Sequence, residues 1–117
     1  MLEAYRVNSF DQAVTALQLG FIVVGAVMVG DRFMKLDGNG VSGFDAGPGN
    51  HCIHFDGCGV LPNGDWYLDL ANSWGADWGD GGRTKITQRH WDGCEEDAYA
   101  IRAATTDPQE PAPPVAV

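Results

Sequence analysis

Residues 61–65, Leu61-Pro62-Asn63-Gly64-Asp65, oblige the chain to reverse, and that reversal sets what lies beside what on either side of it. Asn-Gly reaches positive φ at little steric cost, and the pair is flanked by runs with strand chemistry, so the element reads as a hairpin. The upstream run, residues 50–56, is predicted as a strand with His51 and Ile53 on one face and Cys52 and His54 on the other. The downstream run Trp66-Tyr67-Leu68-Asp69-Leu70-Ala71 is the returning antiparallel strand. Pairing of this kind carries the end of the second strand toward the start of the first, and so Asn72 toward His51.

Other local signals fill in an α+β domain. Ser9-Phe10-Asp11-Gln12 reads as a capping box, with Ala13, Val14, Ala16 and Leu17 continuing a short helix that stops near Gly20. Residues 21–29 form an unbroken apolar run bounded by glycine, which predicts a strand buried on both faces. Residues 44–49 are a Gly/Pro-rich loop that holds no regular element. Residues 83–87 and 98–102 read as two further strands, so the expected fold is a bent antiparallel sheet or half-barrel with one N-terminal helix. His90 and Trp91 fall in the loop between those strands, and Cys94 at its end. The expected core is Ile22, Val24, Val27, Ile53, Leu68, Leu70, Trp74 and Trp78. Residues 1–104 make the domain. Residues 105–117, with Pro108, Pro111, Pro113 and Pro114, are a tail too poor in apolar side chains to fold alone, and its order requires a binding surface on this chain or on a neighbour.

Composition narrows the function. The 117 residues carry 16 acidic side chains against 7 basic ones, a net charge of −9, with no Lys/Arg cluster, so nucleic acid is excluded as a partner and a protein partner is expected. The apolar stretch 13–30 is broken by Gly20, Gly25 and Gly30, which argues against a membrane span. The opening residues lack the basic start and apolar core of a secretory signal. Three scattered cysteines, Cys52, Cys58 and Cys94, fit a reducing compartment, so a cytoplasmic or virion location is expected. Cys52, His54, Cys58 and Cys94 match no familiar zinc spacing, and no metal or cofactor is expected.

The chemistry concentrates in Asn72-Ser73-Trp74-Gly75-Ala76-Asp77-Trp78-Gly79-Asp80-Gly81-Gly82 together with Asn50-His51-Cys52. A carboxamide at Asn72 can accept the N–H of an imidazole on the adjacent strand, fixing its tautomer without adding charge, while the Trp74 and Trp78 indoles pack around the glycine bend. These residues resemble the papain-like cysteine peptidases, whose catalytic histidine opens a strand and whose orienting asparagine lies in Asn-Ser-Trp-Gly-x-x-Trp-Gly-x-x-Gly. Residues 33–41 resemble the segment that precedes the histidine strand in that family, and Asp92-Gly93-Cys94 the Gly-x-Cys before its last strand; Arg83 stands where the family usually has an aromatic residue. The resemblance covers most of residues 5–103, as the C-terminal, sheet-rich lobe alone. It implies His51 as base, Asn72 as its orienting partner, and Trp74 and Trp78 as cleft or packing residues.

The family's nucleophile is a cysteine before tryptophan at the head of a long helix, and nothing here matches it. Cys52 adjoins His51 but points to the opposite strand face, Cys58 lies beside Gly57 and Gly59 at a predicted turn, and Cys94 in a predicted loop. Two readings follow. In the first, the chain is a papain-like lobe without its nucleophile that serves as a structural or binding subunit of a larger assembly, a virus particle or another multi-protein complex. In the alternative it is the His/Asn half of a split cysteine peptidase whose thiol comes from another chain.

Overall fold

The computed structural model describes residues 2–71, 81–94 and 98–103. Eight elements follow in the order β1 (Leu2–Val7), α1 (Phe10–Gln18), β2 (Ile22–Val27), β3 (His51–Val60), β4 (Trp66–Ala71), β5 (Arg83–Thr87), α2 (Gln88–Cys94) and β6 (Ala98–Ala103). The strands form an open six-stranded sheet in the order β1-β6-β2-β3-β4-β5, every pair antiparallel. Among the described residues no helix is long and apolar enough to cross a membrane.

The helix signals are realised atom by atom. Ser9 Oγ accepts the Gln12 N–H at 3.1 Å, and Gln12 Oε1 reaches back to the Asn8 N–H at 2.7 Å. The far end closes with Gly20 at φ 90°, donating to the Leu17 carbonyl while the Phe21 N–H donates to that of Ala16. This 6→1 and 5→2 pattern needs a left-handed residue that glycine provides without strain. Phe10, Ala13, Val14 and Ala16 face the sheet. The hairpin also forms as read: the Leu61 N–H donates to Asp65 O, the Gly64 N–H to Leu61 O, and Gly64 takes φ 93°.

Both helices pack on one side of the sheet, where Val23, Val27, Ile53, Phe55, Leu68, Leu70, Ile86, Ala98 and Ala100 make the core with Phe10, Ala13, Val14 and Cys94. The two-sided strand expected at 21–29 is corrected here. β2 alternates, with Phe21, Val23 and Val27 buried, whereas Ile22 is 45 % exposed and Val24 is half-buried. Its continuous hydrophobicity reflects an outer sheet face that is itself apolar, because Ile22 pairs with Ile101 and Val24 with Tyr99 across the ladder. Val27, Ile53, Leu68 and Leu70 are core as expected; Trp74 and Trp78 lie outside the described residues.

Three further expectations change. β1 had no sequence signal, since its exposed side chains follow no clear alternation; β6 templates it in register from Leu2↔Ala103 to Val7↔Ala98. The loop expected around His90 is α2, whose inner residues His90 and Cys94 are buried one turn apart. Cys58 is not at a turn. β3 runs on to Val60 through a bulge between Phe55 and Gly57, and the extra residue turns Cys58 to the helix side, opposite Leu68 and near the Val14 carbonyl.

Candidate functional site

His51 opens β3, opposite Val27 of β2, on the face that carries Ile53 and Phe55; it is half-buried, whereas Cys52 and His54 are exposed on the other face. The neighbouring asparagine anchors this start. Asn50 Oδ1 accepts the Val29 N–H at 2.8 Å, its Nδ2 donates to Val29 O at 3.1 Å, and its own N–H donates to Val27 O. The carboxamide thus extends the β2–β3 ladder by imitating a peptide group, and it holds the backbone on which the imidazole stands. Asn50→Ala is expected to cost about 1–2 kcal/mol for two exposed hydrogen bonds, and to speed hydrogen exchange at the Val29 amide while leaving that of Val23 slow.

β4 pairs with β3 from Val60↔Trp66 to Phe55↔Leu70, so the chain leaving β4 heads toward the His51 end of β3. Asn72, Trp74 and Trp78 lie outside the described residues. On the outer face of these strands Arg83 bridges Asp56 and Asp69 at 2.5 and 3.3 Å. The position that is aromatic in the family resemblance is an ion-pair bridge here.

No protein-family model and no curated protein matches the sequence. Solved structures do match. The bromelain protease from Ananas comosus, in complex with the E64 inhibitor, superposes with a TM-score of 0.68 at 24 % identity, covering 86 % of this chain and 50 % of that one. The proform of the ragweed pollen allergen Amb a 11, a cysteine protease, gives 0.66 at 19 % identity over 89 % and 34 %. Digestive procathepsin L 3 from the larval midgut of Tenebrio molitor gives 0.59 at 23 % over 83 % and 34 %. The fold is that of the sheet-rich lobe of papain-like cysteine proteases. The chain spans half the length of the bromelain chain and about a third of the two proenzymes.

On this papain-like lobe the three cysteines do not resemble a nucleophile poised beside a base. Cys52 is exposed on the face opposite His51. Cys58 lies seven residues along β3, roughly 20 Å at strand rise, and burial pushes its thiol pKa up, away from the thiolate. Cys94 is buried in α2 and donates from Sγ to the His90 carbonyl at 3.0 Å. Among the described residues no three His, Cys, Asp or Glu side chains gather as metal ligands.

His90, which the sequence assigned no role, clasps the long β2–β3 connection. Its Nδ1 accepts the Thr87 N–H at 3.1 Å, so the ring proton sits on Nε2, which donates to the carbonyls of Ser42 at 2.9 Å and Gly43 at 3.1 Å. Thr87-Gln88-Arg89-His90 has capping-box spacing with imidazole in place of the usual carboxylate, and that spacing was the available signal. The clasp fixes a loop that Lys85 also holds, through Ser42 N–H to Lys85 O and Lys85 N–H to Gly40 O, and that covers the outer edge of β5.

Protonated His90 would lose the Thr87 bond, because Nδ1 could no longer accept. Burial lowers its pKa from the ordinary 6.5, and the Arg89 charge acts the same way, while the Ser42 and Gly43 carbonyls and Asp45 oppose them. With the folded value below the unfolded one, this contribution to stability is whole above 6.5 and is lost as pH falls from there through the folded value. Urea midpoints measured from pH 7.5 down to 5 should fall in the native chain and be flatter in His90→Gln.

Proposed function

We propose that this domain is the imidazole-bearing half of a papain-like cysteine peptidase site, inactive by itself, and that it hydrolyses peptide bonds once a separate lobe supplies the thiol. The observation that carries the reading is the pairing of a retained base position with unsuitable sulfur. His51 stands half-exposed at the anchored start of β3, while Cys52 points away, Cys58 is distant with a raised pKa, and Cys94 is capped inside α2. The long Asn-Ser-Trp-Gly run supports the same reading, since a lobe kept only as a spacer has no use for an imidazole and its orienting carboxamide together.

In the assembled site His51 takes the proton of the incoming thiol, the thiolate attacks the scissile carbonyl, and the imidazolium returns the proton to the departing amine. Water, giving a proton to the same imidazole, then attacks the resulting thioester, releasing the carboxylic acid and restoring the thiol. Asn72 holds the imidazole in the tautomer that does this, and Trp74 and Trp78 keep water from that hydrogen bond. Without the thiol the base has nothing to activate.

The test is a pull-down through a tag on this chain, followed by treatment of the intact assembly with a thiol-directed epoxide and peptide mapping. A modified cysteine outside residues 1–117 is the expected result, with Cys52, Cys58 and Cys94 untouched. Modification of one of those three, or no modification while free thiols titrate normally, would overturn the proposal. The second outcome would favour the non-catalytic reading, in which the lobe binds or bridges partners.

A further inference from the structure

The two edges of the sheet are finished differently. The outer edge of β5 is covered, because the loop at 40–42 bonds it through the Ser42 N–H to Lys85 O and the Lys85 N–H to Gly40 O. β1 is the other edge, and it pairs with β6 without a bulge over all six residues, Leu2–Val7. In such a ladder alternate residues turn their N–H and C=O away from the neighbouring strand. Among the described residues, no backbone group outside the sheet bonds to Leu2, Glu3, Ala4 or Tyr5. The strand also lacks the usual protection of a free edge: it holds no proline, lysine or bulge, and its two charges, Glu3 and Arg6, are opposite in sign. Exposed apolar surface gathers at the same place, with Leu2 69 % exposed, Tyr5 55 % and Tyr99 on β6 43 %.

We infer that β1 pairs antiparallel with β1 of a second copy of this chain, so that two sheets join edge to edge about a two-fold axis. Two observations favour a second copy. In a chain of net charge −9, β1 and β6 together carry only Glu3 against Arg6 and Arg102, so two copies meet here without the acidic repulsion that the rest of the surface imposes. The strand is also self-complementary. A two-fold axis normal to the sheet keeps like faces together, so residues of the same parity oppose each other. With the axis at Tyr5, that ring meets its counterpart, Glu3 faces Val7 and Ala4 faces Arg6; no like charges are opposed, and an aromatic pair stands at the centre. Phe21 already holds the Tyr5 ring edge to face at 5.7 Å, so little side-chain freedom is lost on pairing. A strand edge about 20 Å long buries less than the roughly 1,200 Å² of a stable complex, so the dimer is reversible and half-formed near about 0.1 mM. β6 and β2 separate this edge from β3, and the dimer leaves His51 open.

Sedimentation equilibrium of the full 117-residue chain, with reductant present because Cys52 is exposed, tests this. Between about 10 µM and about 1 mM it should show a reversible monomer–dimer equilibrium. Over the same range the amides of β1 should exchange more slowly as concentration rises, while those of β4 do not change. Tyr5→Lys and Tyr5→Glu each place like charges across the axis and should weaken the dimer by about tenfold. An equimolar mixture of the two variants should restore it. A chain monomeric throughout, slowed exchange confined to strands other than β1, unchanged or tighter association of Tyr5→Lys, or folded variants whose mixture stays monomeric would each overturn the assignment.

Discussion

If the proposed two-lobe site assembles, replacing His51 with alanine is expected to lower its peptide turnover and its epoxide labelling by a factor on the order of 10³. A thiol of ordinary pKa is only a few per cent thiolate at neutral pH, and the imidazole both raises that fraction and protonates the leaving amine, so its removal strikes two steps. The loss is expected without a matching loss of stability. His51 is half-exposed at the first position of β3, and the strand start is anchored by the Asn50 carboxamide and by ladder bonds that do not involve the imidazole. Circular dichroism and the urea midpoint should therefore stay near those of the native chain. A variant that keeps turnover within tenfold of the native rate would remove His51 from the chemistry.

Phe55→Ala should be the most damaging change to the fold itself. Phe55 is 1 % exposed at the middle of the sheet, paired with Val23 on one side and Leu70 on the other, and its ring lies 6.3 Å from that of Trp91 beneath α2. Deleting a buried phenylalanine leaves a cavity that rigid strands on both sides cannot close, at a cost of about 3–5 kcal/mol. A domain of this size has about 5–15 kcal/mol in total, so the urea midpoint should fall by about a fifth or more. Val60→Ala on the same strand, at 51 % exposure, should change stability by less than about 0.5 kcal/mol. Equal midpoints for the two variants would mean that the core is not centred on Phe55.

How far the sequence could be read follows from the range of the forces at each position. The Ser9 cap, the Gly20 stop and the Asn63-Gly64 reversal rest on contacts within a few residues, and they form where the residue types put them. β4 and β5 match their predicted bounds because turn chemistry frames both. His51 and Ile53 share a face because strand geometry alternates without outside help. For the candidate site, this locality made legible the strand position and face of His51, and also that Cys52 points away. The His90 clasp was hidden, because its acceptors at Ser42 and Gly43 lie more than forty residues upstream, and the local Thr87–His90 spacing marks only a helix start.

The sequence by itself determined the helix with its caps, the hairpin, the alternation along the start of β3, and the absence of a cysteine in a nucleophile's local setting, since each is a short-range matter of φ preference, spacing or side-chain direction. Tertiary structure alone decided that β2 buries one face, that β1 is a strand, that a bulge turns Cys58 inward, and that α2 forms over a buried histidine. Those outcomes depend on what the rest of the sheet presents across the ladder: an apolar run looks the same whether its second face meets a core or the apolar neighbours of an open sheet.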